Sequence, residues 1–394
     1  MRPVLGRPVR VLVVFNTPFL YGMERAVIET FDVLRPEVEP LFLMTHYAYR
    51  NDLPVYREVK RRGLRHVFFS DVTAWPRLAK PTSVRHLVRL LGAFVRGNVD
   101  TLRAMRGQDV LYLPSVKYMG LAVLACVWFR MTGRPVALQF HDLLRKSTAL
   151  EGWSLHLVSD AIHNTEAGKE ITLRSNPELR GKRNAVLSIR TDAGLPSAGS
   201  EEVRRRLEGH CNVFFAGQVT RHKGTDLLLD ATAMLVADYP SLALHIFGGC
   251  QDEDRLRAEI SARGLEGAVH YWGYREDVGD LMRSADLHVH PSPPSRFAES
   301  FGRTVVEAMA AGVPSVCFRS GVLPEIVEHG RTGWVCETES AAALAEGMRA
   351  LLADAGLREQ MGRAARKKFE SDYSDAIVRE RWLEWVGSYS QKAK

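Results

Sequence analysis

The chain has 394 residues, 46% of them hydrophobic and 25% charged, which is typical of a globular protein long enough for two domains of about 200 residues. No apolar run reaches the ~18 residues that a membrane-spanning helix requires, so the composition argues against an integral membrane protein. Residues 1–195 hold 29 Lys and Arg against 17 Asp and Glu, which predicts an acidic substrate, nucleic acid or an anionic membrane surface as a partner of this half.

The cysteines and the first residues of the chain favour a cytoplasmic protein. The five cysteines are an odd, widely spaced set, mostly inside or beside apolar runs, as expected of buried thiols in a reducing compartment. The sequence passes into a strand pattern without a small-residue cleavage site, so we predict no secretory signal.

The first half alternates β-branched runs with longer helical patterns, which indicates an α/β fold with a doubly wound parallel sheet. Strands are predicted at 9–15, 41–44, 66–69, 109–113 and 136–140, and helices near 22–34, 55–62, 82–106 and 117–131. The apolar run at 118–131 is too short to span a bilayer and predicts a buried helix.

Two strand ends in this half carry candidate ligand residues. Gly22 lies in the turn between the first strand and its helix, where backbone can approach a phosphate or an acceptor closely. His141 follows the strand at 136–140 directly and precedes Asp142. Strand ends of this kind form the ligand-binding edge of open α/β sheets.

The predicted helix at 82–106 is basic and amphipathic. At about 100° per residue, four arginines fall on one side and a set of apolar residues on the opposite side. The arginines are Arg85, Arg89, Arg96 and Arg103, and the apolar residues are Leu87, Leu91, Phe94, Leu102 and Met105. The arginine side is either a solvated helix face or a surface for anionic lipid headgroups or a phosphate-bearing acceptor.

A Gly, Ser, Ala and Pro-rich stretch at 191–200 predicts a linker, after which the second half again alternates strands and helices. Its strands are predicted at 212–217, 243–249, 269–273, 287–292 and 314–318. From about residue 372 a terminal helix is predicted, with Ile377, Trp382, Trp385 and Val386 on one apolar face.

The segment from His290 to Val335 contains two carboxylates, Glu299 and Glu307, eight positions apart around a turn that opens a helix. The backbone N–H groups of Ser300, Phe301 and Gly302 lie where that helix begins. Orphan amides at a helix N-terminus favour a diphosphate, and carboxylates accept hydrogen bonds from sugar and ribose hydroxyls. The arrangement therefore predicts a nucleotide-sugar site.

This segment resembles the E-x7-E signature of retaining glycosyltransferases of the GT-B fold, glycosyltransferase family 4, whose pattern is roughly E-x-F-G-x-x-x-x-E-A-M-A-x-G-x-P-V. The chain reads ESFGRTVVEAMAAGVPSV from residue 299. The resemblance implies that Glu299 contacts the donor sugar and Glu307 the ribose. It also implies two Rossmann-like domains facing a central cleft, with residues 1–195 binding the acceptor and 196–372 the donor. A terminal helix, about 373–394, is then expected to cross back onto the first domain.

A second motif follows the first strand of the second half. The family pattern is G-R-x(n)-K-G, and Lys223 with Gly224 matches its end, whereas Gln218 stands where the family has its arginine. Arg221 lies on the same loop and is our candidate for the missing guanidinium. Lys223 and Arg221 are expected to neutralise the departing nucleoside diphosphate.

Three further assignments follow from the resemblance. His141 is expected to point at the donor sugar. The backbone of Gly22 is expected to approach the donor closely, although the family often has two glycines where this chain has Tyr21 and Gly22. The segment around Arg275 resembles the one whose main chain contacts the base, leaving uridine or guanosine open. No metal and no cofactor beyond the nucleotide sugar are implied, and the D-x-D at Asp252 is better explained as a helix cap.

The sequence thus predicts a retaining, metal-independent hexosyltransferase-type enzyme that moves a sugar from a UDP or GDP donor to a glycan, glycolipid or lipid-linked saccharide. It is expected in the cytoplasm, with a possible peripheral site at the inner face of the plasma membrane, and no nucleic-acid partner is expected. A dinucleotide-dependent oxidoreductase is disfavoured because no G-x-G-x-x-G follows an N-terminal strand. The remaining alternative is a degenerate, non-catalytic module that binds membrane or nucleic acid.

Overall fold

The computed structural model describes residues 7–17, 19–20, 22–70, 84–143, 149–191 and 201–390. The chain divides into two compact units. Unit 1 comprises Met1–Arg190 and Asp375–Lys394, and unit 2 comprises Thr191–Ser374. The predicted linker at 191–200 lies outside the described residues except for Thr191.

Unit 1 is built on a parallel sheet whose seven strands, within the described ranges, run in the order β3-β2-β1-β4-β5-β6-β7. The strands are β1 Val9–Phe15, β2 Val38–Thr45, β3 Arg65–Phe69, β4 Val110–Leu113, β5 Val136–Phe140, β6 Asp160–His163 and β7 Arg183–Val186. The sequence predicts the first five. The last two were missed because each has four residues and carries polar or charged positions, so neither produces a β-branched run.

Helices cover this sheet, and one of them differs from its prediction. They are α1 Gly22–Val33, α2 His46–Arg50, α3 Pro54–Arg61, α4 Val84–Ala104, α5 Val123–Met131, α6 Ala149–Leu155 and α7 Glu166–Ser175. The prediction of a single buried helix at 117–131 is wrong. Residues Val116–Leu121 form a 3-10 helix, Ala122 leaves the helical conformation, and α5 follows with only one side buried.

Unit 2 has a second parallel sheet, with the order β10-β9-β8-β11-β12-β13 in the described part of the chain. Its strands are β8 Cys211–Ala216, β9 Leu242–Phe247, β10 Val269–Tyr271, β11 Leu287–His290, β12 Ser315–Phe318 and β13 Gly333–Cys336. Its helices are α8 Glu201–Leu207, α9 Thr225–Ala233, α10 Glu253–Ser261, α11 Val278–Leu281, α12 Arg303–Ala311, α13 Leu323–Ile326, α14 Ala341–Ala353 and α15 Ala355–Asp372. The sequence predicts every strand but β13.

The last helix, α16 Asp375–Ser390, belongs to unit 1. Its Trp382 is buried in the core of that unit, where the indole packs on Phe31 with ring centroids 5.9 Å apart and donates a hydrogen bond to the Ser188 carbonyl at 2.9 Å. Arg190 and Asp375 form an ion pair at 2.9 Å where the helix begins. The core of unit 1 is therefore completed by residues from the far end of the chain.

Each sheet has a topological switch point, where the strand order reverses and the connections on either side run in opposite directions. It lies between β1 and β4 in unit 1 and between β8 and β11 in unit 2. Loops at the carboxyl ends of such strands diverge and leave a crevice, which is where open α/β sheets bind ligands. The fold thus directs attention to the loops that follow β8 and β11.

One sequence expectation, the helix cap at Asp252, is confirmed by local geometry. Asp252 caps α10, because its carboxylate accepts a hydrogen bond from the Arg255 N–H at 3.0 Å. Among the described residues, no group of three or more His, Cys, Asp or Glu side chains is placed to hold a metal ion. In the same part of the chain, no helix combines the length and the apolar character needed to cross a bilayer.

Candidate functional site

The loops after β8 and β11 touch backbone to backbone at Gly224. This residue has φ 74°, and a Cβ placed on it would lie 1.8 Å from the Pro291 carbonyl oxygen. It ends the 3-10 turn Arg221–Lys223 and begins α9. The contact fixes Lys223 next to the loop that carries Glu299.

Substituting Gly224 with alanine is expected to lower the free energy of unfolding by at least about 2 kcal/mol, because a methyl group cannot fit against Pro291 and also strains a left-handed backbone. Gly264→Ala is the matched control, since Gly264 has φ 65° but a Cβ there meets no atom within 4 Å. Urea unfolding of both variants tests this. Equal losses in the two variants would show that the Pro291 contact contributes nothing.

Lys223 and Glu299 form a half-buried ion pair at this junction. The Lys223 ammonium contacts Glu299 Oε1 and lies 3.8 Å from the centroid of the Phe297 ring. The same carboxylate oxygen lies 3.0 Å from His290 Nε2 and accepts a hydrogen bond from Ser292 Oγ at 2.9 Å. Three donors therefore converge on one oxygen of a buried carboxylate.

The backbone of Glu299 is held by the loop that follows β12. The Val322 N–H donates to the Glu299 carbonyl at 3.0 Å, and the Ser320 hydroxyl accepts from the Glu299 N–H at 3.4 Å and donates to the Phe297 carbonyl at 2.9 Å. A Cβ on Gly321 would lie 1.9 Å from the Glu299 carbonyl oxygen. Both ends of the Glu299 residue, backbone and carboxylate, are thus fixed before any ligand arrives.

The electrostatics keep Glu299 ionised. Burial alone raises the pKa of this carboxyl, but the His290 ring and the Lys223 ammonium outweigh burial and lower it to about 2, against an ordinary value of 4.5. A carboxyl whose pKa is lower in the folded state contributes stability that is present above about pH 4.5 and is lost as the pH falls towards 2.

We therefore expect the wild type to lose more unfolding free energy between pH 5 and pH 3 than the Glu299→Gln variant, in which this titration is absent. Urea titrations at both pH values measure the difference. All other carboxylates are common to the two proteins, so they cancel. Identical pH dependence in wild type and variant would mean that Glu299 titrates at its ordinary pKa.

Helix α12 begins beside Glu299 without a side-chain cap. Gly302 precedes it with φ 69°, and a Cβ on this residue would meet Leu323 Cδ2 at 2.6 Å. The Phe301 ring is buried edge-on against Tyr373, with centroids 6.0 Å apart, so this residue offers its backbone and not its side chain. Ser300 is half-buried. The first turn of α12 therefore presents main-chain N–H groups, which favour an anion.

Glu307 lies further along α12 and is nearly buried. Its Oε1 accepts a hydrogen bond from Arg303 Nε at 2.9 Å, one turn earlier on the same helix. Arg275 lies on the loop after β10 and pairs with both oxygens of Asp277, at 2.8 and 2.7 Å. That loop turns at Gly273, which has φ 68°. The Arg275 loop follows the carboxyl end of β10, and Glu307 lies in the second turn of the helix that follows the Glu299 loop.

The candidate replacements for the family's arginine are both exposed. Gln218 follows β8 and points to solvent, and Arg221 is exposed in the 3-10 turn. The Arg221 carbonyl accepts a hydrogen bond from Arg296 at 3.0 Å, and Arg296 in turn pairs with Asp226 at 2.8 Å. The backbone of Arg221 is thus fixed, whereas its guanidinium is not part of the Lys223–Glu299 pair.

Gly22 and His141 lie at the carboxyl edge of the sheet in unit 1. A Cβ on Gly22 would meet no atom within 4 Å, so no contact in the described ranges requires glycine at this place. His141 is buried, and its Nε2 has no hydrogen-bond partner in the part of the chain that the structure describes. Burial lowers the pKa of this imidazole to about 4 despite the adjacent Asp142, so the ring is neutral at physiological pH.

Sequence reasoning missed His290, Ser292 and Phe297, which surround the Lys223–Glu299 pair. A partial signal exists: His290 ends β11 and Ser292 follows two positions later, at the ligand-binding edge of the sheet. His290 is also held by Thr304 of α12, whose hydroxyl lies 3.2 Å from Nδ1. The convergence of these side chains on Glu299 depends on the loop path, which periodicity does not reveal.

Comparison with known proteins relates the second half of the chain to a known family. Residues 202–368 match the family model for glycosyl transferases group 1. The chain is 36% identical over 164 residues to a D-inositol 3-phosphate glycosyltransferase of Arthrobacter sp. (strain FB24), which covers 40% of this chain and 38% of that protein. The chain spans less than two thirds of the length of this and other curated relatives.

Solved structures match over nearly the whole chain. The Anabaena protein Alr3699/HepE, solved in complex with UDP, has a TM-score of 0.77 and 20% identity, with 96% of this chain and all of that chain covered. A sucrose-phosphate synthase from Thermosynechococcus elongatus has a TM-score of 0.72 and 16% identity, with 98% of this chain and all of that chain covered. At such identities the likeness establishes the fold. Residues 202–368 therefore resemble glycosyl transferases group 1, and the chain has the GT-B fold.

Proposed function

We propose that the protein is a glycosyltransferase that moves a sugar from a nucleoside diphosphate, UDP or GDP, to a glycan, glycolipid or lipid-linked acceptor, with retention of configuration and without a metal ion. The observation that carries the proposal is the Lys223–Glu299 pair beside the uncapped start of α12, at the topological switch point of unit 2. Two of the solved neighbours, complexes of Anabaena Alr3699/HepE with UDP and with UDP-glucose, support a donor of this class.

The donor is proposed to lie along the carboxyl edge of the unit 2 sheet. The diphosphate takes the N–H groups at the start of α12 and the charges of Lys223 and Arg221, and Glu307 binds the ribose. Glu299 accepts from the sugar hydroxyls. Gln218 and the loop around Arg275 border the leaving nucleotide and the base.

The reaction is proposed to proceed by attack of the acceptor on the face from which the nucleotide leaves. The acceptor oxygen bonds to the anomeric carbon as the bond from that carbon to the phosphate oxygen breaks, and the departing diphosphate takes the acceptor proton. Negative charge grows on the diphosphate, so cations and amides already in place lower the barrier. Neutral His141 in unit 1 is proposed to contact the donor sugar through its buried Nε2, and Gly22 to let the donor approach closely.

A hydrolysis screen across UDP- and GDP-sugars tests this function, because a transferase with a bound donor leaks some sugar to water. We expect release of UDP or GDP from one donor class, unchanged by EDTA and reduced in Glu299→Ala. No release from any donor, together with no calorimetric binding of UDP or GDP, would favour a non-catalytic module. Loss of activity in EDTA that magnesium restores would contradict metal independence.

Arg221→Ala is expected to lower turnover by about a hundredfold, similar to the loss expected for Lys223→Ala, if this residue supplies the guanidinium that Gln218 does not. The donor hydrolysis rate at saturating donor measures this. Arg257→Ala is the control, since it removes an exposed arginine from α10 of the same unit. Wild-type turnover in Arg221→Ala would assign the second cation to another residue.

A further inference from the structure

Helix α4 packs against unit 1 through small and polar residues. Ala93, Gly97, Asn98 and Thr101 are buried, and a Cβ on Gly97 would lie 2.6 Å from Leu121 Cδ2. The Thr101 hydroxyl lies 2.9 Å from the Leu121 carbonyl, and the Asn98 amide donates to the Gly120 carbonyl at 3.0 Å. These contacts fix which side of α4 faces the unit, so the helix cannot rotate without losing them.

Four large apolar residues of α4 face outward. Val88, Leu91, Val95 and Val99 follow one another at spacings of three and four, and are 62%, 56%, 58% and 37% exposed. This spacing forms one stripe along the helix. A surface helix usually packs such an apolar stripe against the protein core, whereas α4 leaves this stripe exposed to solvent.

Helix α5 adds a second apolar stripe beside the first. Leu124, Trp128 and Met131 are exposed at 48%, 49% and 78%, and the Leu124 N–H donates to the Asn98 side chain at 2.9 Å, which holds the start of α5 against α4. Of the fifteen large hydrophobic side chains exposed in the described residues, seven lie on these two helices. We call them the α4–α5 surface: Val88, Leu91, Val95, Val99, Leu124, Trp128 and Met131.

The arginines lie next to this surface. Of the apolar residues predicted opposite the arginines, Met105 is buried and Phe94 and Leu102 are half-buried, whereas Leu91 is exposed. Arg89 and Arg96 are exposed, and Arg103 pairs with Asp100 at 3.4 Å. The side chain of Arg85 lies outside the described residues. At about 100° per residue, the apolar stripe and the arginines are about 40–160° apart around α4, with an average of about 90°, so they occupy adjacent sides of the helix.

The charges on α4 and α5 are almost entirely positive. The sequences of the two helices contain five arginines and a single carboxylate, Asp100. That carboxylate is buried and accepts hydrogen bonds from the Ser70 N–H and hydroxyl at 2.7 and 2.8 Å. The outward side of both helices is therefore apolar and cationic, with no exposed acid.

We infer that the α4–α5 surface docks on an anionic lipid bilayer, with its apolar residues at the acyl boundary and Arg89 and Arg96 at the phosphates. Exposed apolar patches bordered by cations bind such interfaces, and tryptophan, here Trp128, is enriched at them. A second copy of the chain fits less well, because a two-fold contact through this surface brings like-charged arginines together. The inference rests on the surface alone and not on the proposed transfer reaction.

Co-sedimentation with vesicles tests the inference directly. With vesicles of 70% phosphatidylcholine and 30% phosphatidylglycerol in 0.05 M NaCl, we expect binding that phosphatidylcholine alone does not support and that weakens in 0.3 M NaCl. The double variant Leu91→Ser, Val95→Ser should reduce the partition coefficient about tenfold or more. Arg89→Gln with Arg96→Gln should reduce it similarly and remove much of the salt dependence.

Matched controls separate docking from misfolding and from the enzyme's reaction. Met234→Ser removes an apolar residue that is 50% exposed in unit 2 and should bind vesicles as the wild type does. All variants should keep the thermal transition and, where donor hydrolysis is found, its rate. Brominated lipid should quench part of the tryptophan emission in the wild type and less in Trp128→Phe, which places this side chain in the bilayer.

Three results would overturn the inference. The first is no binding to the anionic vesicles at low salt. The second is binding that the apolar double variant does not reduce, since charge alone then explains it. The third is a dimer, measured by light scattering, that the apolar double variant dissociates, because the surface then belongs to a second copy.

Discussion

Replacing Lys223 with alanine is expected to reduce the rate of sugar release at saturating donor by about a hundredfold or more. Two contacts place the ammonium, with the Glu299 carboxylate and the Phe297 ring. The backbone of Lys223 is fixed by the Gly224 turn and by the Thr220 hydroxyl, which accepts from the Lys223 N–H at 3.3 Å. Because negative charge on the diphosphate grows as it departs, a cation already in place stabilises the transition state more than the bound donor.

The measurement is turnover of the donor found in the hydrolysis screen, with Lys367→Ala as a control for loss of an exposed lysine in the same unit. A Lys223→Ala, Glu299→Ala double variant adds a second test. Groups that act as a pair give non-additive losses, so the double variant should fall by less than the product of the two single losses. If the loss in the double variant equals the product of the two single losses, the ion pair has no part in turnover. A wild-type rate in Lys223→Ala would show that this residue does not act in the mechanism.

Glu307→Ala is expected to weaken binding of UDP or GDP by about 2 to 4 kcal/mol, because the ribose hydroxyls lose a charged acceptor in a nearly buried position and the Arg303 guanidinium loses its partner. Calorimetry with the free nucleotide measures this without requiring turnover. Glu299→Ala should instead reduce turnover and spare nucleotide affinity, since this carboxylate is assigned to the sugar.

The control for Glu307 is Glu259→Ala, which removes a carboxylate from an equivalent pair one turn apart, Arg255 and Glu259 on α10, whose atoms lie 3.0 Å apart. Unchanged nucleotide affinity in Glu307→Ala would reject the ribose assignment. Equal weakening in Glu307→Ala and Glu299→Ala would show that the two roles are divided wrongly.

Much of the fold follows from the sequence because ten of the strands are apolar runs bounded by turn residues. The sequence does not predict β6 and β7 because Asp, His, Arg and Asn interrupt their apolar residues, and it does not predict β13 because Gly333 begins its short run. A short strand gains its stability from pairing, which a local pattern does not record.

The candidate site likewise has a part that the local sequence predicts and a part that it does not. The positions of Glu299, Gly302 and Glu307 follow from the local sequence, because a turn and a helix start place them within a few residues of one another. The link from Lys223 to Glu299 spans 76 residues and depends on Gly224 meeting Pro291, a contact between two loops that each look ordinary alone. For α4, periodicity correctly separates arginines from leucines but does not say which side is inward, and Gly97 against Leu121 decides that.

The contribution of α16 to unit 1 has a consequence for how the chain is made. Unit 2 is continuous from Thr191 to Ser374, so it can fold while the ribosome is still adding α16. Unit 1 is synthesised earlier, but its core gains Trp382 and Val386, which belong to the same cluster as Phe31, only after α16 has emerged. A nascent chain that ends before residue 375 would lack Trp382 and Val386, so it would leave apolar surface around Phe31 uncovered for holdase chaperones and proteases to recognise.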